Sequence, residues 1–481
     1  MSCLVIKNDG IGDLILFSGL LNSIVSEFDG NVDLVTRKEN VEIANLIPRL
    51  RNVFWAERDQ VSEETLDALR KQPKYELAIV PRRFIRKSTF SVMQNISAKN
   101  KFCCWQYPTN LTIEEAEIGS KGWKGFQGPH SLISELEYLQ GFCQTVLGCE
   151  LDPTPRLKFD YLNDLKQPNP SKKRIGICLG GASSRWPYLH WLELLKGLIS
   201  VGFTPVLFGS KTDSLVADKL VSKINPVESF VGKLNLTETI QKFSQLECVV
   251  SNDTGLAHLA TLCTPKVVII LGGGTFGRFF PWPKQENQYV VHYGMDCYDC
   301  EWRCCHPLKS CLDFIEPRDV LDYLLRILAD DEVTRIMNLN PESKTYPVAW
   351  RLREGTCPER STTQIKDEAL LKDMTFKENV VKLGGNESVR MIIFGTGPTA
   401  KIIADRANDQ FELVCSIDND PARRKRLFLG KPVHAPEEIL GMEFDEVTLA
   451  SGHSIEMYHQ LRELGIEPGK IKFTTRNSFP N

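Results

Sequence analysis

No apolar run in the 481-residue sequence approaches the roughly 18 to 20 residues that a membrane-spanning helix requires, so a helical membrane protein is not expected. The N-terminus lacks the basic start and long apolar stretch of a secretory leader, because Lys7 and Asp9 interrupt it early. Charge of one sign is also missing. Lys and Arg number 58 against 61 Asp and Glu, a net charge of −3, which removes the electrostatic footprint of a general nucleic-acid binder while allowing a local basic patch. No internal repeat or low-complexity tract organises the chain. These absences point to a cytoplasmic protein, at most peripheral to a membrane.

What is present is the composition of a soluble globular protein, 42% hydrophobic and 25% charged, at a length that suggests about three domains. The 15 cysteines are many and odd in number. In a reducing compartment they imply thiols and a metal site rather than a disulfide framework. Strand-like and helix-like segments alternate, the pattern of α/β architecture. Strands are expected at Ser2–Ile6, Val32–Thr36, Val53–Trp55 and Leu77–Val80, with a helix at Leu14–Phe28. A second set follows at Ile175–Leu179, Thr204–Phe208, Cys248–Ser251 and Lys266–Leu271, with helices Tyr188–Val201, Ser214–Ile224 and Pro317–Leu328. Pro153, Pro155, Pro168 and Pro170 mark a linker between the two sets. The expected organisation is a Rossmann-like domain over 1–158, a second over 171–328 facing it across a cleft, a polar connector over 329–388, and a third small Rossmann-like domain over 389–481.

Four segments carry chemistry-bearing residues. Lys7-Asn8-Asp9-Gly10-Ile11-Gly12-Asp13 joins a strand to a helix; its glycines allow a tight turn and leave helix N-terminal amides facing a crevice. Asp13 falls in the first helical turn, where it either complements the dipole or acts as a general base at the carboxyl end of the strand. Gly180-Gly181-Ala182-Ser183-Ser184-Arg185-Trp186-Pro187 is either a phosphate cradle or an ordinary turn before a Pro-started helix. Ser251-Asn252-Asp253-Thr254-Gly255-Leu256-Ala257-His258 places Asp253 and Thr254 at a strand end and His258 one turn further in. The basic run Arg82-Arg83-Phe84-Ile85-Arg86-Lys87 is either a solvated face or, with Lys121 and Lys124, a contact for an anionic acceptor.

Together these motifs resemble the ADP-heptose:lipopolysaccharide heptosyltransferases, glycosyltransferase family 9, over about residues 1–328. The resemblance implies the GT-B fold and inverting transfer of a heptose from an ADP-sugar to a glycan, lipopolysaccharide-core or protein acceptor, without a catalytic metal. It assigns Asp13 as base and Gly12, Ser183, Asp253, Thr254, Gly255 and His258 to the donor. The family's basic residue two before the Trp falls on Ser184, with Arg185 adjacent, and its ribose-binding acid falls on Glu238. Arg82, Arg83 and Arg86 are assigned to the acceptor. The chemistry is coherent on its own terms, since helix amides, Arg185 and His258 can stabilise a departing diphosphate. An alternative is a catalytically degenerate nucleotide-sugar binder with the third domain as sensor or scaffold. Peripheral membrane association and a homo-oligomer are left open.

Cys297, Cys300, Cys304, Cys305 and Cys311 form the densest thiol cluster. A C-x2-C knuckle with further thiols has zinc or iron spacing. Similar quartets in some relatives point to Cys297, Cys300, Cys304 and Cys311 as ligands of a structural metal. In the third unit, Gly395-Thr396-Gly397 follows a strand and Asp418 ends the next, which fits a dinucleotide fingerprint. NAD or another nucleotide is the expected ligand there, and a purely structural domain the alternative.

Overall fold

In the computed structural model the chain forms two compact units, one of Met1–Leu111 with Gly119–Met374, the other of Thr112–Ile118 with Thr375–Asn481. The structure describes residues 1–104, 107–108, 121–126, 134–159, 173–180, 186–283, 285–295, 302, 310–340, 371–373, 389–396, 400, 411–421, 423–424, 427–428, 430–450, 454–467 and 470–473.

The first unit holds two seven-stranded sheets. In the first sheet Cys3–Ile6 is central, pairing in parallel with Val32–Arg37 on one side and Tyr75–Val80 on the other. All four of its residues are buried. A strand covered on both faces reads as a continuous apolar run rather than an alternating one, which is why Cys-Leu-Val-Ile is legible as a core strand. Asn52–Ala56 extends one side; Ala98–Cys103 and Lys124–Phe126 extend the other, and Leu371–Asp373 closes it antiparallel. The Ile11–Glu27 helix crosses the sheet, burying Leu14 to Leu21, Ile24 and Val25.

The second sheet is parallel throughout, in the spatial order Glu228–Ser229, Thr204–Phe208, Arg174–Cys178, Cys248–Asn252, Val267–Ile270, Gln288–His292, Ile336–Asn338. Its helices include Tyr188–Ser200, Gly255–Cys263 and Pro317–Leu328. The last of these begins with Pro at its first turn, where a missing N–H costs nothing.

Two boundaries differ from expectation. Part of the expected linker, 151–159, is packed against the first helix. Arg156 N donates to Ser18 Oγ at 2.8 Å, Lys158 N donates to Leu46 O at 2.9 Å, and a Cβ on Gly19 would lie 2.1 Å from Thr154 O. Prolines here suit an extended strap that makes isolated hydrogen bonds rather than a ladder. Ile336–Asn338, expected within the connector, is instead an edge strand of the second sheet.

The second unit carries a six-stranded sheet with Val389–Phe394 central, paired in parallel with Phe411–Ile417 and Glu446–Leu449. Lys431–His434 and Ile471–Phe473 continue it in parallel, and Leu427–Phe428 is antiparallel at one edge. Ile392, Phe394, Ile417, Val447, Leu449 and Leu461 form its core. No helix among the described residues is long and apolar enough to cross a membrane.

Candidate active site

The two sheets of the first unit bring two helix starts together. The Ile11–Glu27 helix follows the central strand of the first sheet, and the Gly255–Cys263 helix follows Cys248–Asn252 of the second. Gly12 and Gly255 are what permit the approach. A Cβ on Gly12 would stand 2.6 Å from His258 Cδ2 and 3.3 Å from Gly255 Cα, and one on Gly255 would stand 2.1 Å from Ile11 Cγ2. The two helix starts are therefore in close contact, and the N-terminal end of a helix suits an anion.

Asp13 sits at this junction. Its Oδ2 accepts from Gly10 N at 3.1 Å, closing the helix start from the third helical position. Burial, reinforced by the neighbouring Asp9, pushes its carboxyl up to about 6. Asp253, at the end of the other sheet's strand, is also pushed up to about 6, by burial and by the charge of Asp13 across the junction. Its Oδ2 accepts from Thr275 Oγ1 at 3.3 Å. Two carboxyls from opposite sheets thus share one poorly hydrated place. Thr254 caps its helix, its hydroxyl accepting from Ala257 N at 3.3 Å.

Behind Asp13 lies a buried charge network. Lys7 Nζ is 2.5 Å from Asp9 Oδ2, and Arg82 Nε is 2.6 Å from Asp9 Oδ1. Burial alone would lower the Lys7 ammonium, but Asp9, Asp13 and Glu135 outweigh it and raise its pKa. Arg82 also donates to Asn8 Oδ1 and to Thr89 Oγ1. Glu135 Oε2 is 3.0 Å from Arg83 Nε and 2.9 Å from Arg278 Nε. Burial would raise this carboxyl, yet Arg278, Arg83 and Lys7 hold it down at about 2.

His258 is 3% exposed, and burial lowers its imidazole to about 3. Trp282 Nε1 donates to His258 Nδ1 at 3.1 Å. An indole N–H only donates, so the bond assigns the His258 proton to Nε2. The ring is stacked on Phe280 at 4.1 Å and on Trp282 at 5.6 Å. His258 is therefore a neutral N–H donor beside Gly12 rather than a cation.

The remaining expected residues divide. Arg82 and Arg83 are 5% and 6% exposed, so the solvated reading of the basic run fails for both. Their charges are committed to Asp9 and Glu135, an inward-facing support rather than an outward acceptor contact. Arg86 keeps a partly exposed side chain 3.4 Å from Asp59. Glu238 closes a capping box: its Oε2 accepts from Asn235 N, and its own N–H donates to Asn235 Oδ1, each at 2.8 Å. The Asn-x-x-Glu spacing is itself a sequence signal for that box, and it accounts for the acid without a ribose. Ser183, Ser184 and Arg185 lie outside the described residues, as do Cys297, Cys300, Cys304 and Gly397. Cys311 is buried, its Sγ accepting from Gly273 N at 3.3 Å. Among the described residues no group of three or more His, Cys, Asp or Glu is placed to hold a metal. In the second unit Gly395 adopts φ +106°. Asp418 Oδ2 accepts from both Thr396 N and Thr396 Oγ1, and its Oδ1 accepts from Asp420 N. Glu135, Arg278, Thr275 and Trp282 lie far along the chain from Asp13, Asp253 and His258, and only the fold brings them together.

Residues 142–305 match the family model for glycosyltransferase family 9 (heptosyltransferase), and residues 387–472 match one described as C2185-like, N-terminal. The chain is 33% identical over 128 residues to lipooligosaccharide heptosyltransferase 2 of Haemophilus ducreyi, covering 24% of this chain and 36% of that protein. It is 31% identical over 106 residues to lipopolysaccharide heptosyltransferase 2 of Escherichia coli, covering 20% and 30%. The chain thus spans about a third of the length of these curated relatives. Among solved structures, the ADP-heptose lps heptosyltransferase II of E. coli superposes with a TM-score of 0.52 at 18% identity, covering 68% of this chain and 99% of that one. A glycosyltransferase family 9 structure from Veillonella parvula gives 0.53 at 15% identity, covering 69% and 97%. The fold is therefore the α/β, GT-B-like fold of those proteins, with two parallel sheets meeting at the junction described above.

Proposed function

We propose that this chain is an inverting glycosyltransferase that moves a heptose or related sugar from an ADP-sugar to a glycan, lipopolysaccharide-core or protein acceptor, with Asp13 as general base. The observation that carries the reading is the place of Asp13, a half-buried carboxyl where two helix starts meet and opposite Asp253 of the other sheet; desolvation and Asp9 push it up to about 6. A base near the operating pH combines an ionised fraction with real affinity for the proton.

In the proposed step the Asp13 carboxylate takes the proton of an acceptor hydroxyl. That oxygen forms a bond to the anomeric carbon, and the bond from this carbon to the diphosphate oxygen breaks with its electron pair leaving on ADP. One displacement inverts the configuration. The departing charge falls toward the amides of the Gly255–Cys263 helix and the neutral His258 Nε2–H, with Ser183, Ser184 and Arg185 assigned to the same phosphates. No metal enters the step. ADP as the nucleotide rests on the similarity to the E. coli ADP-heptose enzyme. Of the basic run, the partly exposed Arg86 and the exposed Lys87 remain for an anionic acceptor, and a cytoplasmic, membrane-peripheral setting fits a lipid-linked one. A structural zinc or iron on Cys297, Cys300, Cys304 and Cys311 rests on spacing alone.

The test is sugar transfer from ADP-heptose to lipopolysaccharide of heptose-deficient cells, run beside calorimetric binding of ADP-heptose. Asp13→Asn is expected to lower transfer by roughly 10²-fold or more while leaving donor affinity within a few-fold. Retained transfer would place the base elsewhere. Donor binding without transfer by the wild type to any acceptor would favour the degenerate binder.

A further inference from the structure

Glu135 has an unusual position for a buried carboxylate. It opens the Glu135–Leu147 helix, which belongs with the first sheet, yet two of its atoms bind one residue of the second. Its backbone N–H donates to Arg278 O at 2.8 Å, and its Oε2 accepts from Arg278 Nε at 2.9 Å. On its own side Arg83 meets the same oxygen at 3.0 Å, with its guanidinium 4.0 Å above the Tyr138 ring. Arg278 in turn closes a short turn, its N–H donating to Thr275 O at 3.1 Å, and Thr275 bonds Asp253. A continuous chain of contacts therefore runs from the helix beside Asp13, through Glu135 and Arg278, to Asp253.

We propose that Glu135 and Arg278 are a positioning pair, a two-point junction between the sheets that holds the Asp13 helix start against the Asp253 turn and sets the charge that Asp13 experiences. The inference rests on the reading of Asp13 as the base. Neither residue needs to touch the substrate. A backbone bond combined with an ion pair fixes orientation as well as distance, which a single surface ion pair does not. The charged groups that act on Asp13 come from every neighbouring element: Lys7 and Asp9 from the first strand and its turn, Arg82 from the loop after Tyr75–Val80, Glu135 from the helix beside it, and Asp253 and Arg278 from the second sheet. Within that set Glu135 disfavours and Arg278 favours the Asp13 anion.

This gives the pair a signature that general damage would not produce. Removing Glu135's charge stabilises the Asp13 carboxylate, whereas removing Arg278's charge destabilises it. The experiment uses the full-length protein with ADP-heptose and the heptose-deficient lipopolysaccharide probe, following ADP release from pH 4.5 to 8.5. Glu135→Gln is expected to move the acid limb of kcat/KM down, and Arg278→Gln to move it up, each by roughly half a pH unit. Both are expected to lower kcat more than they raise the KM for ADP-heptose. A second readout needs no turnover. Infrared titration of the protonated carboxyl band, with the Asp13→Asn spectrum subtracted, should show the same opposite shifts. Shifts in the same direction, or none, would overturn the pair as a setter of Asp13. Wild-type inactivity at every pH with opposite infrared shifts would leave the pair standing and count against the transferase reading.

Discussion

The close approach of the two helix starts makes a quantitative prediction about Gly12. An alanine methyl there would lie 2.6 Å from His258 Cδ2, where ordinary contact begins at 3.4 Å, so the imidazole must withdraw by about 0.8 Å or the helix must move. His258 has little room to yield, being stacked 4.1 Å from Phe280 and bonded to Trp282. Gly255 Cα at 3.3 Å blocks a sideways shift. Overpacking of this kind costs about 1–3 kcal/mol, and Gly12→Ala should lower unfolding stability in urea by that amount. The contact itself is isolated by a cycle with His258→Ala. Removing the ring takes away the clash, so the double variant should be more stable than the sum of the singles by about 1–2 kcal/mol. The Gly255 contact keeps the rescue incomplete. Additivity within about 0.5 kcal/mol, or a wild-type urea midpoint for Gly12→Ala, would refute the packing of these two helix starts.

Two further outcomes follow from the charges. A carboxyl whose pKa is higher in the folded than in the unfolded chain holds its proton more tightly when folded. Its contribution is therefore greatest below the unfolded value of about 3.9 and is lost as pH rises through the folded value. With Asp13 at about 6, Asp13→Asn should stabilise the protein by up to about 2 kcal/mol at pH 7.5 and by less at pH 4.5. An equal gain at both pH values, or a loss at pH 7.5, in denaturant unfolding would show that the carboxylate is not held at a cost. In the second unit Asp418 satisfies Thr396 N, Thr396 Oγ1 and Asp420 N. Asp418→Ala should weaken that unit by about 1–3 kcal/mol and speed amide exchange over 389–396 in the full chain; unchanged exchange would mean that these bonds do not hold the turn.

Much of the architecture is readable from residue patterns because both sheets, apart from one short antiparallel edge strand in the first, are parallel with buried strands. Runs such as Cys-Leu-Val-Ile at 3–6 and Val-Val-Ile-Ile at 267–270 announce buried strands without any alternation. The strand at Lys124–Phe126 carries no such run, and Ile336–Asn338 is only three residues long, so neither stands out from its polar surroundings. Asp13 and Asp253 are legible because each follows a strand at a Gly-containing turn, where local order alone positions a side chain at the crevice. Arg82 and Arg83 mislead for the opposite reason. A run of cations reads as solvated until its partners are known, and Asp9 and Glu135 are made neighbours only by tertiary packing. Glu135 and Arg278 lie 143 positions apart, and no local pattern links them. The helix cap that Glu238 closes is spelled in the sequence by Asn235 three residues before it.

The central claim is that Asp13 takes the acceptor proton in a site that raises its pKa. The most direct test is the pH dependence of kcat/KM for sugar transfer from ADP-heptose by the wild-type chain. Sugar transfer is expected to show an acid limb near pH 6, where burial places both Asp13 and the facing Asp253, with a plateau above it, and the residual rate of Asp13→Asn is expected to lose the limb. A rate that is flat from pH 5 to 8, or a limb near the ordinary carboxylate value of about 4, would contradict it.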